Sequence, residues 1–192
     1  VLSFNNSANL LTDARQIIDK TKELAFRSVN VAMLQRNWYL GKRISEEILQ
    51  GEDRAEYGSQ VILQLSKELT EIYGKGFTKS YLYNFVRFYK TFPNIFQSPI
   101  GQSKLLSWTH YNLLLDVSND EARAWYADEA YREGWSVRTM QRNISSQYYH
   151  RMLLSQHKEG VREEMKQLTA PMQTDKLEFI KWDTLIPYAE TT

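Results

Sequence analysis

Cysteine is absent from the 192 residues, which removes disulfide frameworks, zinc knuckles, iron-sulfur clusters and thiol nucleophiles from consideration. The lack suits a reducing compartment. The first nine residues have neither a basic n-region nor an apolar h-region, so a cytoplasmic protein is expected. No run of about 18 apolar residues occurs, and no membrane span or membrane partner is expected. An excess of one charge is also missing: 24 basic residues face 23 acidic ones, for a net charge of +1. A chain so balanced is not a polycation that coats nucleic acid indiscriminately, and only the distribution of its charges can be informative. Proline and glycine are scarce, at four and eight, and most fall between periodic segments rather than inside them.

What is present is apolar content of 42%, enough for one domain of this length to build a core without staples. Residues 10–25 place Leu10, Ala14, Ile17, Ile18, Leu24 and Ala25 mostly at three- and four-residue steps, which predicts a first amphipathic helix. A second is expected over 31–49 from Val31, Leu34, Trp38, Ile44 and Ile48, with Gly41 tolerated inside and Gly51 at its stop. The acidic, glycine-bounded stretch 51–58 reads as a loop. A third helix is expected over 59–73, ended by Gly74-Lys75-Gly76. A fourth is predicted from Thr78, whose hydroxyl can cap it, to Thr91, with Pro93 closing it off. Residues 94–107 read as a surface connection.

The second half repeats this theme. A short apolar helix is predicted over 108–116, and Ser118 with Glu121 forms a capping box that opens a helix over 119–133. Gly134-Trp135 makes a turn, Ser136 caps, and one helix is expected to run through about Leu154 with Val137, Met140, Ile144, Tyr148 and Met152 inward. Residues 157–170 can form a polar helix that Pro171 interrupts. The run Leu177 to Trp182 fits a short helix or a strand equally well. The expected fold class is therefore all-α, with residues 1–156 as a helical domain and 157–192 as a C-terminal extension.

Two helix-turn-helix candidates result, at 59–91 and 119–154, and each second helix has the same charge character. From Thr78 to Lys90 there are three basic residues and no acid; from Trp135 to Arg151 there are again three and no acid. The acids crowd into 46–56 and 116–133 instead. Lys79, Tyr83, Arg87 and Lys90 share one helical stripe opposite Leu82, Phe85, Val86, Tyr89 and Phe92. Arg138, Arg142, Ser145 and Tyr149 likewise share a stripe opposite Val137, Met140, Ile144 and Tyr148. Such side chains reach phosphate oxygens or base edges when a recognition helix enters the major groove. Ser80 sits at the start of the first stripe, and Asn84 and Asn143 flank the two stripes at positions from which an amide can pair with adenine. These residues are the candidate contacts to double-stranded DNA. The competing reading is a solvated helical surface, and beside it a protein-interaction or oligomerisation module whose exposed aromatics bury against a second copy or a nuclease domain. Trp38, Trp108, Trp125, Trp135 and most tyrosines sit at packing spacing, which favours core or interface over stacking platforms for single strands.

Catalytic patterns are missing. His110, His150 and His157 have no metal-ligand spacing, and the chain has no phosphate-binding Gly-rich loop, nucleophile elbow or HExxH motif. Neighbouring acids such as Glu46-Glu47 and Glu163-Glu164 point to different sides of a helix. No catalytic residue, metal ligand or cofactor is expected in this chain.

Several strings carry a family likeness: Asn37-Trp38-Tyr39-Leu40-Gly41-Lys42-Arg43-Ile44, Ala55-Glu56-Tyr57-Gly58, Leu65-Ser66-Lys67-Glu68-Leu69, Gly74-Lys75-Gly76-Phe77, Phe88-Tyr89-Lys90-Thr91-Phe92-Pro93, Leu106-Ser107-Trp108-Thr109-His110-Tyr111 and Trp135-Ser136-Val137-Arg138. In this order and spacing, over about residues 12–156, the chain resembles the N-terminal domain of YhcG-type proteins. The resemblance implies a DNA-binding, helix-turn-helix-like part that a PD-(D/E)XK nuclease domain usually follows. Trp135-Ser136-Val137-Arg138 also resembles the start of a recognition helix in ParB-like proteins. A nuclease domain of that kind needs an Asp and a Glu-x-Lys on neighbouring strands, so that carboxylates hold Mg²⁺ and the lysine supports the attacking water. Glu178 and Lys181 are spaced differently, and the tail after about residue 157 matches no motif of that domain.

Overall fold

In the computed structural model, residues 7–49, 54–96 and 105–175 are described. Eight α-helices and two 3₁₀ turns make up these residues, and no strand occurs among them. The all-α expectation holds. None of the helices is long and apolar enough to cross a membrane.

Helix α1 spans Leu10–Leu49 and is about 60 Å long at 1.5 Å per residue. Asn9 starts it, its side-chain oxygen accepting from the amides of Leu11 and Thr12 at 3.0 and 3.2 Å. The two helices expected over 10–25 and 31–49 are thus one. Nothing between them breaks a helix: Ser28 turns its hydroxyl back onto the Leu24 carbonyl, 3.0 Å, and Asn30 reaches across to the Leu106 carbonyl, 2.9 Å. From Leu34 onward one stripe is buried, with Asn37, Trp38, Gly41, Ile44 and Ser45 following at helical steps.

Helix α2 covers Arg54–Tyr73, so most of the loop expected over 51–58 is helical. Gly58 does not end a helix but packs on the Ile48 side chain, and Tyr57 donates to Glu47 Oε1 at 3.2 Å. A 3₁₀ turn, Lys75–Phe77, leads to α3, Lys79–Thr91. The Arg36 guanidinium lies over the Phe77 ring, 5.2 Å from its centroid, and holds this turn to α1. Thr78 occupies the cap position in extended backbone, but its hydroxyl makes no capping bond; the cap reduces to its carbonyl accepting from Leu82 N–H.

Helix α3 is central because two apolar clusters meet along it. Leu82, Phe85 and Val86 join Ile44 and Ile62 at one end, while Phe88 joins Leu34, Trp38, Tyr111 and Leu114 at the other. The two helix backbones touch where α1 carries Gly41. A Cβ built there would stand 1.9 Å from the Phe85 carbonyl oxygen, an approach only a residue without a side chain permits. Trp38 donates its indole N–H to the Phe92 carbonyl at 3.0 Å, pinning the far end of α3 to the same helix.

The second half stacks on that frame. Helix α4 is Trp108–Leu115, α5 is Asp120–Arg132, α6 is Val137–Ser145, α7 is Tyr148–Leu154 and α8 is Lys158–Thr169. The cap of α5 is Asn119, which accepts from Ala122 N–H at 2.7 Å, one residue after the expected Ser118. The single helix expected through Leu154 is broken at Gln147, which adopts left-handed backbone, φ 55°. The polar helix over 157–170 is present as α8, and at Pro171 it passes into a 3₁₀ turn, Ala170–Asp175. Met165 of α8 is buried in the same cluster as Trp135, Met140 and Tyr148. The alternatives for Leu177 to Trp182 lie outside the described residues.

Gly41→Ala is expected to destabilise the fold by about 1–3 kcal/mol through overpacking, although alanine is the better helix former by about 1 kcal/mol. Urea unfolding followed by tryptophan emission measures the difference. A midpoint equal to or above the parent's would mean that α1 and α3 do not cross at this position.

Candidate nucleic-acid interface

The second helix pair is set by a turn whose bonds follow directly from its residues. Gly134, at φ 59°, lets the chain leave α5 with Gly134 N–H on the Tyr131 carbonyl, 3.3 Å, and Trp135 N–H on the Ala130 carbonyl, 2.9 Å. This is the paired closure that a left-handed residue after a helix allows. Ser136 then caps α6 as expected, its Oγ accepting from Thr139 N–H at 3.1 Å while donating to the Met172 carbonyl at 2.6 Å.

Helix α6 is two-sided. Thr139, Met140 and Asn143 are buried, and Arg138, Gln141, Arg142 and Ser145 are exposed at the i, i+3, i+4, i+7 positions of one face. Gln141 carries no charge and so leaves no mark in the distribution of cations, yet its amide lies on the same face. Ser145 Oγ donates to the Arg142 carbonyl, 3.0 Å. Tyr149, expected on this stripe, is elsewhere. The break at Gln147 rotates it into the core, where its amide donates to Tyr126 Oη at 3.0 Å and its hydroxyl to Glu121 Oε2 at 3.4 Å. Asn143 is buried too, so it does not face outward.

On α3, Lys79, Ser80, Tyr83, Arg87 and Lys90 are exposed and Asn84 is half-buried. Lys79 Nζ sits 5.8 Å from the Tyr83 ring centroid. Arg87 is committed within the molecule. It donates to the Leu115 carbonyl at 2.6 Å, to Asp116 Oδ1 at 3.0 Å and to Asn84 Oδ1 at 3.3 Å. Arg123 does the same from the other side, giving its guanidinium protons to the carbonyls of Leu114 and Val117. Two cations therefore satisfy the last carbonyls of α4, where the helix dipole favours positive charge. Helices α3 and α6 do not touch, and α4 packs against both.

The acids of α5 are mostly engaged. Glu129 pairs with Arg132 and Asp120 with Arg123, and Glu133, the residue after the helix, pairs with Arg132 and with Lys166 of α8. The residues from Trp135 to Arg151 remain without a carboxylate of their own. Arg151 is also tied down, to Glu164 of α8. Among the described residues no group of three or more His, Asp or Glu side chains is placed to hold a metal ion.

His110 clasps α4 to the turn that precedes α6. Its Nε2 lies 3.0 Å from the Trp135 carbonyl and its Nδ1 2.6 Å from Ser107 Oγ. A neutral ring satisfies both contacts, Nε2–H donating to the carbonyl and Nδ1 accepting from the hydroxyl. Burial pushes the imidazole pKa below its ordinary value, against the opposing pull of the backbone contacts at Trp135 and Ser136.

Comparison with known proteins gives two matches. The family model described as "DUF1016 N-terminal domain" matches residues 13–151. The Escherichia coli (strain K12) protein named "Putative nuclease YhcG" is 33% identical over 186 residues, an alignment covering 82% of this chain and 48% of the relative. The chain thus spans about half the length of that relative. No solved structure matches.

Because folding lowers the His110 pKa, the unfolded chain binds the proton more readily. Stability is therefore fully present above the unfolded value of about 6.5 and falls as pH drops below it. Thermal unfolding between pH 7.5 and pH 5 is expected to show a falling midpoint, and His110→Gln is expected to flatten that slope. An identical slope in the variant would remove His110 as its source.

Proposed function

The chain belongs to the DUF1016 N-terminal domain family, and from that premise we propose that it is a helix-turn-helix-like, double-stranded-DNA-binding module serving a nuclease, with no catalytic residues of its own. The observation that carries this reading is the face of α6, where Arg138, Gln141, Arg142 and Ser145 stand exposed on a short helix within a segment that has no acid. Arg and Gln are the side chains that reach guanine and adenine edges in pairs of hydrogen bonds, and Ser reaches phosphate or base. A capped helix entered through a tight turn is the usual carrier of such a face.

In this reading residues 1–156 form the binding module and 157–192 extend it. Lys79, Ser80, Tyr83 and Lys90 of α3 supply a second, phosphate-directed set of contacts. Arg87 and Asn84 serve that set from behind, since Arg87 is spent on the end of α4. Tyr149 supports α6 from the core. The module acts inside the cytoplasm alongside a nuclease domain, in keeping with the nuclease named in its relative.

A gel-shift titration with duplex DNA at rising salt tests the proposal. Binding is expected to weaken steeply from 50 to 200 mM salt, as release of condensed counterions requires. Arg142→Ala is expected to cost about 1–3 kcal/mol of binding, roughly ten- to a hundredfold in Kd, with helicity unchanged. The reading fails if duplex DNA is not bound at low salt, or if Arg138→Ala and Arg142→Ala both bind like the parent.

A further inference from the structure

Over residues 10–29 α1 extends past the core with a largely exposed apolar stripe, whose inner end, at Val31, is half-buried. The doublet that begins at Leu10 returns at Ile17, Leu24 and Val31, each followed by a second apolar residue. The interval is seven residues every time. Leu10 is 84% exposed, Leu11 61%, and Ile18 and Leu24 50% each. A helix of these residues gains little from propensity alone and depends on packing of its apolar face.

We propose that this arm, residues 10–33, pairs with the same arm of a second copy as a two-stranded coiled coil, making the protein a homodimer. The spacing specifies the kind of occupant. A seven-residue apolar repeat is the period of a two-stranded coiled coil, and a second copy supplies that period over the same length of about 36 Å.

The polar residues inside the stripe do not oppose burial. Thr21 Oγ1 is turned back onto the carbonyls of Ile17 and Ile18, 2.8 Å from each, and Ser28 Oγ onto that of Leu24, 3.0 Å. Both hydroxyls carry their own hydrogen bonds into the interface, so neither is left unsatisfied. Charge permits self-association as well. The arm holds three acids and four bases, a mixture without the single sign that selects an anionic membrane or nucleic acid.

The area is of the right order. Full burial of the exposed apolar side chains of the arm would remove at most on the order of 700 Å² per copy, or about 1,400 Å² for the pair, against the ~1,200–2,000 Å² of specific interfaces. The inference does not rest on DNA binding.

Light scattering on the eluting full chain, at tens to hundreds of micromolar, is expected to give twice the 22.7 kDa chain mass. Ile18→Glu with Leu24→Glu is expected to return it to the monomer mass with tryptophan emission unchanged, since both residues lie outside the core. The chain has no cysteine, so a single introduced thiol reports the contact. Thr21→Cys, midway along the stripe, is expected to form a disulfide-linked dimer on oxidation in either helix direction. Gln16→Cys, on the opposite face, is expected to stay largely unlinked. A monomeric parent at all concentrations overturns the proposal, as does a double variant that remains dimeric or equal cross-linking at positions 16 and 21.

Discussion

The contact between the Phe85 carbonyl and the bare Cα of Gly41 sets the distance between α1 and α3, and the remaining helices take their places from that pair. Glycine in a helix costs about 1 kcal/mol against alanine, and the close crossing offsets it by letting the aromatic side chains on both sides interdigitate. Trp38 packs edge-on against Tyr89 and Phe96, and Phe88 meets Trp108 and Tyr111. Because α3 carries residues of both apolar clusters, the first helix pair and the second half of the chain share one support.

Helix α4 passes that support on. It is only eight residues long, yet its ends are tied to three neighbours: His110 holds the turn before α6, Arg87 comes from α3 and Arg123 from α5. The orientation of the α6 face is thus a consequence of how α4 is clamped. The same ties divide the arginines into two groups. Arg87, Arg123, Arg132 and Arg151 are spent on carbonyls or carboxylates of the protein itself, while Arg142 stands exposed on a helix that carries no acid of its own. Near-zero net charge conceals this division, since it counts Asp120 and Glu129 of α5, and the arginines they pair with, alike with the exposed Arg142.

Much of the architecture was legible in the residues. The 34, 38, 44 stripe, the Gly134-Trp135-Ser136 turn and the cap on α6 all rest on interactions between residues a few positions apart, which is why spacing reveals them. The family strings around Trp38, Phe88 and Trp108 lie on the buried surfaces where packing constrains identity most tightly. The continuity of α1 is not legible in the residues, since the weak apolar pattern between Ala25 and Val31 has the form of a boundary although no glycine or proline interrupts it. The break at Gln147 had no local signal, since a left-handed residue there is a glutamine rather than glycine or asparagine.

By itself the sequence determined the helical class, the positions of most turns and the family, all products of short-range periodicity and residue type. Only the tertiary structure decided which polar groups are spent internally. Arg87 and Asp116 are 29 residues apart, and their pairing at 3.0 Å exists because α3 and α4 pack together. Tyr149 leaves its expected stripe for a similar reason: a cluster of Trp125, Tyr126 and Tyr148 holds its ring inside, a long-range packing preference that helical spacing cannot encode.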